Sequence, residues 1–183
     1  DEEEAKEGFV FKNAIVGNAI SPGFVTAIEK GFREAAQSGG LIGHPVENLR
    51  VVLTDGASHA VDSSEMAFKI AAQYAFRSAF AETRPNILEP IMEVEITAPQ
   101  EFQGTIIGNV NRRKGVILNS ETQGDDVVIN AHVPLSNMFG YSTELRSMTQ
   151  GKGEFTMEYH QHQPVPQDVQ AQLTQEHQRG RAV

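Results

Sequence analysis

Four stretches contain residues whose types and spacing bear on chemistry. Ser58, His59 and Asp62 lie close together and supply the residue types of a hydrolytic triad. Triads, however, are assembled from distant segments that converge in space. Asp62-Ser63-Ser64-Glu65 reads instead as a helix capping box, with Asp62 as cap and Glu65 reaching back. Ala57-Ser58-His59-Ala60-Val61 has no hydrophobic period, so it is expected to be an exposed loop tip. An imidazole there is free to stack on a base or donate to a phosphate. His160 and His162 are spaced to face the same way on or just after a strand. Zinc needs three or four ligands, so His132 or a glutamate would have to join them. Two exposed histidines at the end of a domain is the plainer reading. Arg112-Arg113-Lys114 is the one basic cluster, placed at a predicted helix C-terminus where cations suit the dipole. With Arg146, near the end of a second predicted helix, and Lys152, in the turn beyond it, it makes a candidate phosphate-contacting patch.

Nucleotide chemistry fares poorly. Gly39-Gly40-Leu41-Ile42-Gly43-His44 comes nearest to a phosphate-cradling loop but lacks the lysine and the hydroxyl residue that such a loop needs. No dinucleotide fingerprint is present. No catalytic, nucleotide-binding or metal site is therefore expected within the chain.

The elements that position these residues follow from periodicity. A strand over 8–15 precedes Ser21-Pro22, a helix start with serine as cap and proline at the first position. Phe24, Ala27, Ile28, Gly31, Phe32 and Ala35 then follow a helical stripe. Leu49 to Thr54 alternates as a strand, and Asp55-Gly56 marks a turn. A helix from residue 63 to about 80 carries Phe68, Ala72 and Phe76 on one face. Thr83-Arg84-Pro85-Asn86 breaks the pattern, which places a domain boundary near residue 88. Beyond it the order is strand (Met92, Val94, Ile96 inward), helix (Phe102, Ile106, Val110), short strand 116–119, strand 126–133, helix (Met138, Tyr141, Leu145, Met148) and strand (Phe155, Met157, Tyr159). This βαββαβ order predicts a ferredoxin-like sandwich with both helices on one face of an antiparallel sheet. The fold class expected is α+β: a βαβ-type domain over 1–88, the sandwich over 89–163, and a glutamine-rich, frayed tail over 164–183.

Composition limits the function classes. With 39% hydrophobic and 21% charged residues among 183, a packed core is expected. No run approaches the ~20 apolar residues of a membrane span. The lack of cysteine excludes disulfides, thiolate metal sites and a cysteine nucleophile. The net charge is −9, and both halves are acidic, so any nucleic-acid contact must be local, or held in place by other parts of a larger assembly, rather than a broad basic face. The outward sheet positions Glu93, Glu95, Thr156 and Glu158 exclude base stacking of the kind seen in RNA-recognition motifs.

Three stretches go further: Ser58-His59-Ala60-Val61-Asp62-Ser63-Ser64-Glu65-Met66-Ala67-Phe68, Leu88-Glu89-Pro90-Ile91-Met92, and Gly140-Tyr141-Ser142-Thr143-Glu144-Leu145-Arg146-Ser147-Met148-Thr149-Gln150-Gly151. Together they resemble the C-terminal third of elongation factor G, the GTPase that moves tRNA and mRNA through the ribosome. The wording around Asp55-Gly56-Ala57-Ser58-His59 and Thr149-Gln150-Gly151-Lys152-Gly153-Glu154-Phe155 is similar to the mitochondrial form. The resemblance implies that residues 1–88 are the family's fourth domain, N-terminally incomplete, and 89–163 its fifth. It implies that Ala57, Ser58, His59, Ala60 and Val61 form the tip that meets tRNA and mRNA at the A site. Arg112, Arg113, Lys114, Arg146 and Lys152 are then candidate rRNA contacts. It further implies that GTP and magnesium belong to a domain outside this chain, that this part has no membrane partner and no obligate small-molecule ligand, and a mitochondrial matrix location, with the bacterial cytoplasm as the alternative. A ribosome-recycling or ribosome-protection GTPase of the same superfamily, and a free-standing ferredoxin-like ligand-binding module, are the competing readings.

Overall fold

The computed structural model describes residues 8–181, so the acidic run at positions 1–4 lies outside the described residues. The chain divides into two compact units, one holding the chain up to Pro85 together with the segment from Gln167, the other Asn86–Pro166.

In the first unit, β1 (Phe9–Asn13) pairs in parallel with β2 (Leu49–Leu53), Phe9 opposite Leu49. Parallel neighbours need a crossover, and α1 (Pro22–Ser38) supplies it, with Pro22 at its first position as expected. α2 (Glu65–Glu82) packs beside α1. Its inward Ala72 and Phe76 are the residues that the spacing of four selects. One core cluster joins Ile20, Ile28 and Ala72 to Phe11, Phe24, Leu53 and Phe68; another joins Ala35, Ala36 and Phe76 to Phe9, Leu49 and Phe80.

The described part of the polar C-terminal stretch does not fray. Gln167–Arg181 forms α5 and belongs to the first unit. Its half-buried residues Val169, Leu173 and His177 recur every four positions, so a narrow stripe on a glutamine-rich helix finds a partner. Gln170 donates to the Pro85 carbonyl at 3.1 Å, and His177 lies against the Gly43 loop.

The second unit runs β3 (Leu88–Pro99), a 3-10 turn, α3 (Gln103–Arg112), β4 (Val116–Gln123), β5 (Asp126–Pro134), a 3-10 turn, α4 (Tyr141–Met148) and β6 (Glu154–Pro164). The sheet order is β4-β5-β3-β6, antiparallel throughout, which is the ferredoxin-like arrangement. Val94, Ile96, Val127, Ile129 and Ala131 pack fully buried against Ile106, Val110, Tyr141 and Leu145 of the helices. Two details differ from expectation. β4 is twice as long as a four-residue strand, because the hairpin at Gly124 continues its pairing out to Gln123–Asp126. β6 does not bury its alternate residues: Phe155 is half-buried but Met157 and Tyr159 are exposed, as befits an edge strand.

Helix α3 ends in a Schellman motif, with the Gly115 N–H on the Val110 carbonyl at 2.9 Å and the Lys114 N–H on Asn111 at 3.0 Å. The left-handed residue is Lys114 (φ 58°), not the glycine. Gly115 is needed for a different reason: a Cβ there would lie 2.6 Å from Val110 Cγ1 and 2.9 Å from Val133 Cγ2. Among the described residues no helix is long and apolar enough to cross a membrane.

Candidate nucleic-acid interface

Ala57, Ser58, His59, Ala60 and Val61 are all exposed, and Val61 is 99% so. The segment is nonetheless held at both ends. After β2 the chain crosses the buried Ile20 at Gly56, where a Cβ would sit 2.1 Å from Ile20 Cδ1. Close approach, rather than a left-handed turn, is therefore what calls for glycine after Asp55. At the far end Ser63 closes the tip. Its backbone N–H donates to the His59 carbonyl at 3.2 Å, and its hydroxyl accepts the His59 N–H at 2.8 Å. These two bonds fix the backbone of His59 and leave its ring facing outward.

The capping residue is Ser64, not Asp62. Its side chain accepts the Ala67 N–H at 3.1 Å and its backbone is extended (φ −143°, ψ 161°), as an N-cap requires. Asp62 lies one step further out, where its carboxylate accepts from the Ser63 hydroxyl. The first turn of α2 then locks onto α1 through stacked rings of Phe24 and Phe68, 4.7 Å apart. Lys69 pairs with Glu34 at 2.8 Å, and Gln73 donates to the same carboxylate. The hydrogen bond from Lys69 holds the Glu34 carboxyl below its ordinary pKa. Ser58, His59 and Asp62 thus lie together on one exposed loop that leads into α2, rather than on segments that converge.

The basic residues separate. Arg113 is turned into the fold, its side chain 16% exposed. Its guanidinium pairs with Glu144, donates to the Asn137 and Phe139 carbonyls, and lies 5.0 Å from the Tyr141 ring centre. Glu144 also accepts from the buried Asn109. The hydrogen bond from Arg113 pulls the Glu144 carboxyl below its ordinary pKa, against the opposing effect of burial. Burial pushes the Tyr141 phenol up to about 12. Arg113 therefore ties the end of α3 to the start of α4. Arg112, Lys114 and Arg146 are exposed. Crossovers from antiparallel strands make α3 and α4 antiparallel. Lys152, past the end of α4, accordingly lies 3.8 Å from Glu101 in the 3-10 turn that precedes α3. Glu144 is the residue that sequence reasoning missed.

The histidines also regroup. His162 shares a 2.7 Å hydrogen bond with the Tyr159 hydroxyl. His160 instead stacks on His132, ring centres 4.1 Å apart, beside Glu93. A bulge in the β3–β6 ladder separates the two: Met92 pairs with Tyr159 and Ile91 with Gln161, leaving His160 between them.

Comparison with known proteins agrees with this anatomy. Residues 1–84 match the family model for elongation factor G, domain IV, and residues 86–173 that for the elongation factor G C-terminus. The chain is 68% identical to elongation factor G-1, mitochondrial, of Arabidopsis thaliana over 92% of its own length and 22% of that protein. It is 49% identical to elongation factor G 2 of Bdellovibrio bacteriovorus over 95% of its length and 25% of that protein. A crystal structure of a Thermus thermophilus protein superposes with a TM-score of 0.85 at 37% identity, covering 95% of this chain and 26% of that one. The chain spans about a quarter of the length of these relatives, and the two family models, which between them cover nearly the whole chain, place it in the elongation factor G family as domain IV followed by the C-terminal domain.

Proposed function

We propose that this chain supplies the decoding-centre arm and a large-subunit-contacting domain of a translational GTPase that drives tRNA and mRNA through the ribosome. The observation that carries the proposal is the tip: five exposed residues held at His59 by two bonds to Ser63, on a support stiffened by the α1–α2 packing. A pinned, exposed tip suits positioning rather than bond chemistry. His59 and its neighbours enter the A site, contact the tRNA–mRNA duplex or nearby rRNA, and block backward slippage. Sequestering the contact in a tip explains how a chain of net charge −9 works on RNA. GTP hydrolysis, with its magnesium, belongs to another domain of the parent and biases the conformational change that delivers the arm. In the second unit Arg112, Lys114 and Arg146 are the side chains available to rRNA, whereas Arg113 is engaged within the fold and Lys152 is near Glu101. Similarity to a mitochondrial relative favours the mitochondrial matrix as the site of action.

The test is His59→Ala in the full-length parent, assayed for ribosomal translocation and for GTP turnover. Translocation is expected to slow while turnover is retained. Equal loss of both activities would remove the tip from the mechanism.

A further inference from the structure

The sheet face opposite the two helices of the second unit is acidic and carries two histidines. Glu93 sits on the central strand β3. Across β5 its direct neighbour is His132, and across β6 it is Glu158. Two carboxylates directly opposite on neighbouring strands repel. Glu95, two residues along the same strand, is exposed as well. The face therefore favours a cation. The bulge at residue 160 supplies a ligand beside it. A regular ladder would give His160 a partner on β3 and carry it along the row with Glu158 and His162; the extra residue instead sets its ring over His132. One ligand atom from each of Glu93, His132 and His160 then lies within 4.8 Å of the other two.

We propose that Glu93, His132 and His160 bind one divalent transition metal ion of the zinc class. Two imidazoles and a carboxylate are a zinc donor set that leaves the fourth position to water, and such donors select zinc, nickel or copper over magnesium. Bonds of about 2.0–2.1 Å place tetrahedral donors about 3.4 Å apart, so the side chains must draw in by roughly an ångström. Glu93 and His160 are exposed, and His132 is half-buried and serves as the fixed partner. The ion would clamp edge strand β6 to β3 and β5 where the bulge interrupts their ladder. This site is independent of the tip and of the proposed part in translocation.

The test is calorimetric titration of zinc into the 183-residue chain in a non-chelating buffer, with magnesium as the parallel arm. One saturable zinc site is expected, with no comparable heat from magnesium. His132→Ala, His160→Ala and Glu93→Gln should each weaken zinc by about tenfold or more, the scale set by losing even an outer-shell partner. His162→Ala, which removes a neighbouring histidine bonded to Tyr159, should leave it unchanged. The proposal is overturned by non-saturable zinc binding, by magnesium binding as tightly, by affinity that survives loss of either His132 or His160, or by an equal fall with His162→Ala. All three ligand changes lie on the solvent face of the sheet, and amide exchange in β3 checks that the unit stays folded.

Discussion

Arg113 offers the sharpest test of the division between internal and outward-facing cations. Replacing it by alanine removes an ion pair with Glu144, donation to the Asn137 and Phe139 carbonyls, and a cation over the Tyr141 ring. The Glu144 side chain is 42% exposed, so water re-solvates the stranded carboxylate and the pair itself contributes only about 1 kcal/mol. The sheltered bond from a charged donor to the Asn137 carbonyl adds about 1.5 kcal/mol, while that to the exposed Phe139 adds little. The ring contact adds about 0.5–1 kcal/mol. The second unit should therefore lose about 2–4 kcal/mol, which speeds exchange of its slowest amides about 30- to 700-fold. The assay is native-state hydrogen exchange read in β3 and β5, whose buried residues report this unit alone. Arg112→Ala, one residue earlier and exposed, should move the same amides by no more than about 0.5 kcal/mol. Unchanged exchange in Arg113→Ala, or an equal effect from Arg112→Ala, refutes the reasoning. Loss of ribosome binding by Arg113→Ala at full stability would do the same, because Arg113 would then be acting outward.

Two other expectations follow from the same bonds. The folded-state pKa of Glu144 is lowered, so its contribution is fully present above the ordinary glutamate range and is lost as pH falls through that lowered value. Glu144→Gln should therefore destabilise the second unit near neutrality by a margin that shrinks in acid; a margin constant through the acid limb of the unfolding profile would count against the ion pair. Ser64→Ala should cost the first unit about 1 kcal/mol and accelerate exchange of the Ala67 amide, while Ser64→Asp should retain the cap. No change at Ala67 in the alanine variant would mean that another group caps α2.

Much of this architecture is legible in the chain because it rests on short-range rules. Alternation at Met92, Val94 and Ile96, stripes at Phe68, Ala72 and Phe76, and the Ser21-Pro22 start each name a face or an end, and those faces are the buried ones. The exposed tip is readable as a stretch without period. A run of Asp, Ser, Ser and Glu announces a cap without saying which residue takes it, since any of several side chains can reach a free N–H; the backbone geometry at Ser64 decides it.

Partnership across the chain is decided only by the tertiary structure. In the sequence Arg113 is one member of a basic run, but antiparallel helices bring it to Glu144, 31 residues on, and carry Lys152 toward Glu101. By spacing His160 is the mate of His162, but a bulge turns it toward His132 on a strand two places away in the sheet. By composition the glutamine-rich end is too polar to order, yet its stripe of Val169, Leu173 and His177 folds as α5 with a unit more than eighty residues earlier in the chain. Periodicity tells a side chain which way to face; strand order, helix direction and a single extra residue in a ladder tell it whom to meet. Those are set by cooperative packing of the whole unit, and no local window of residues contains them.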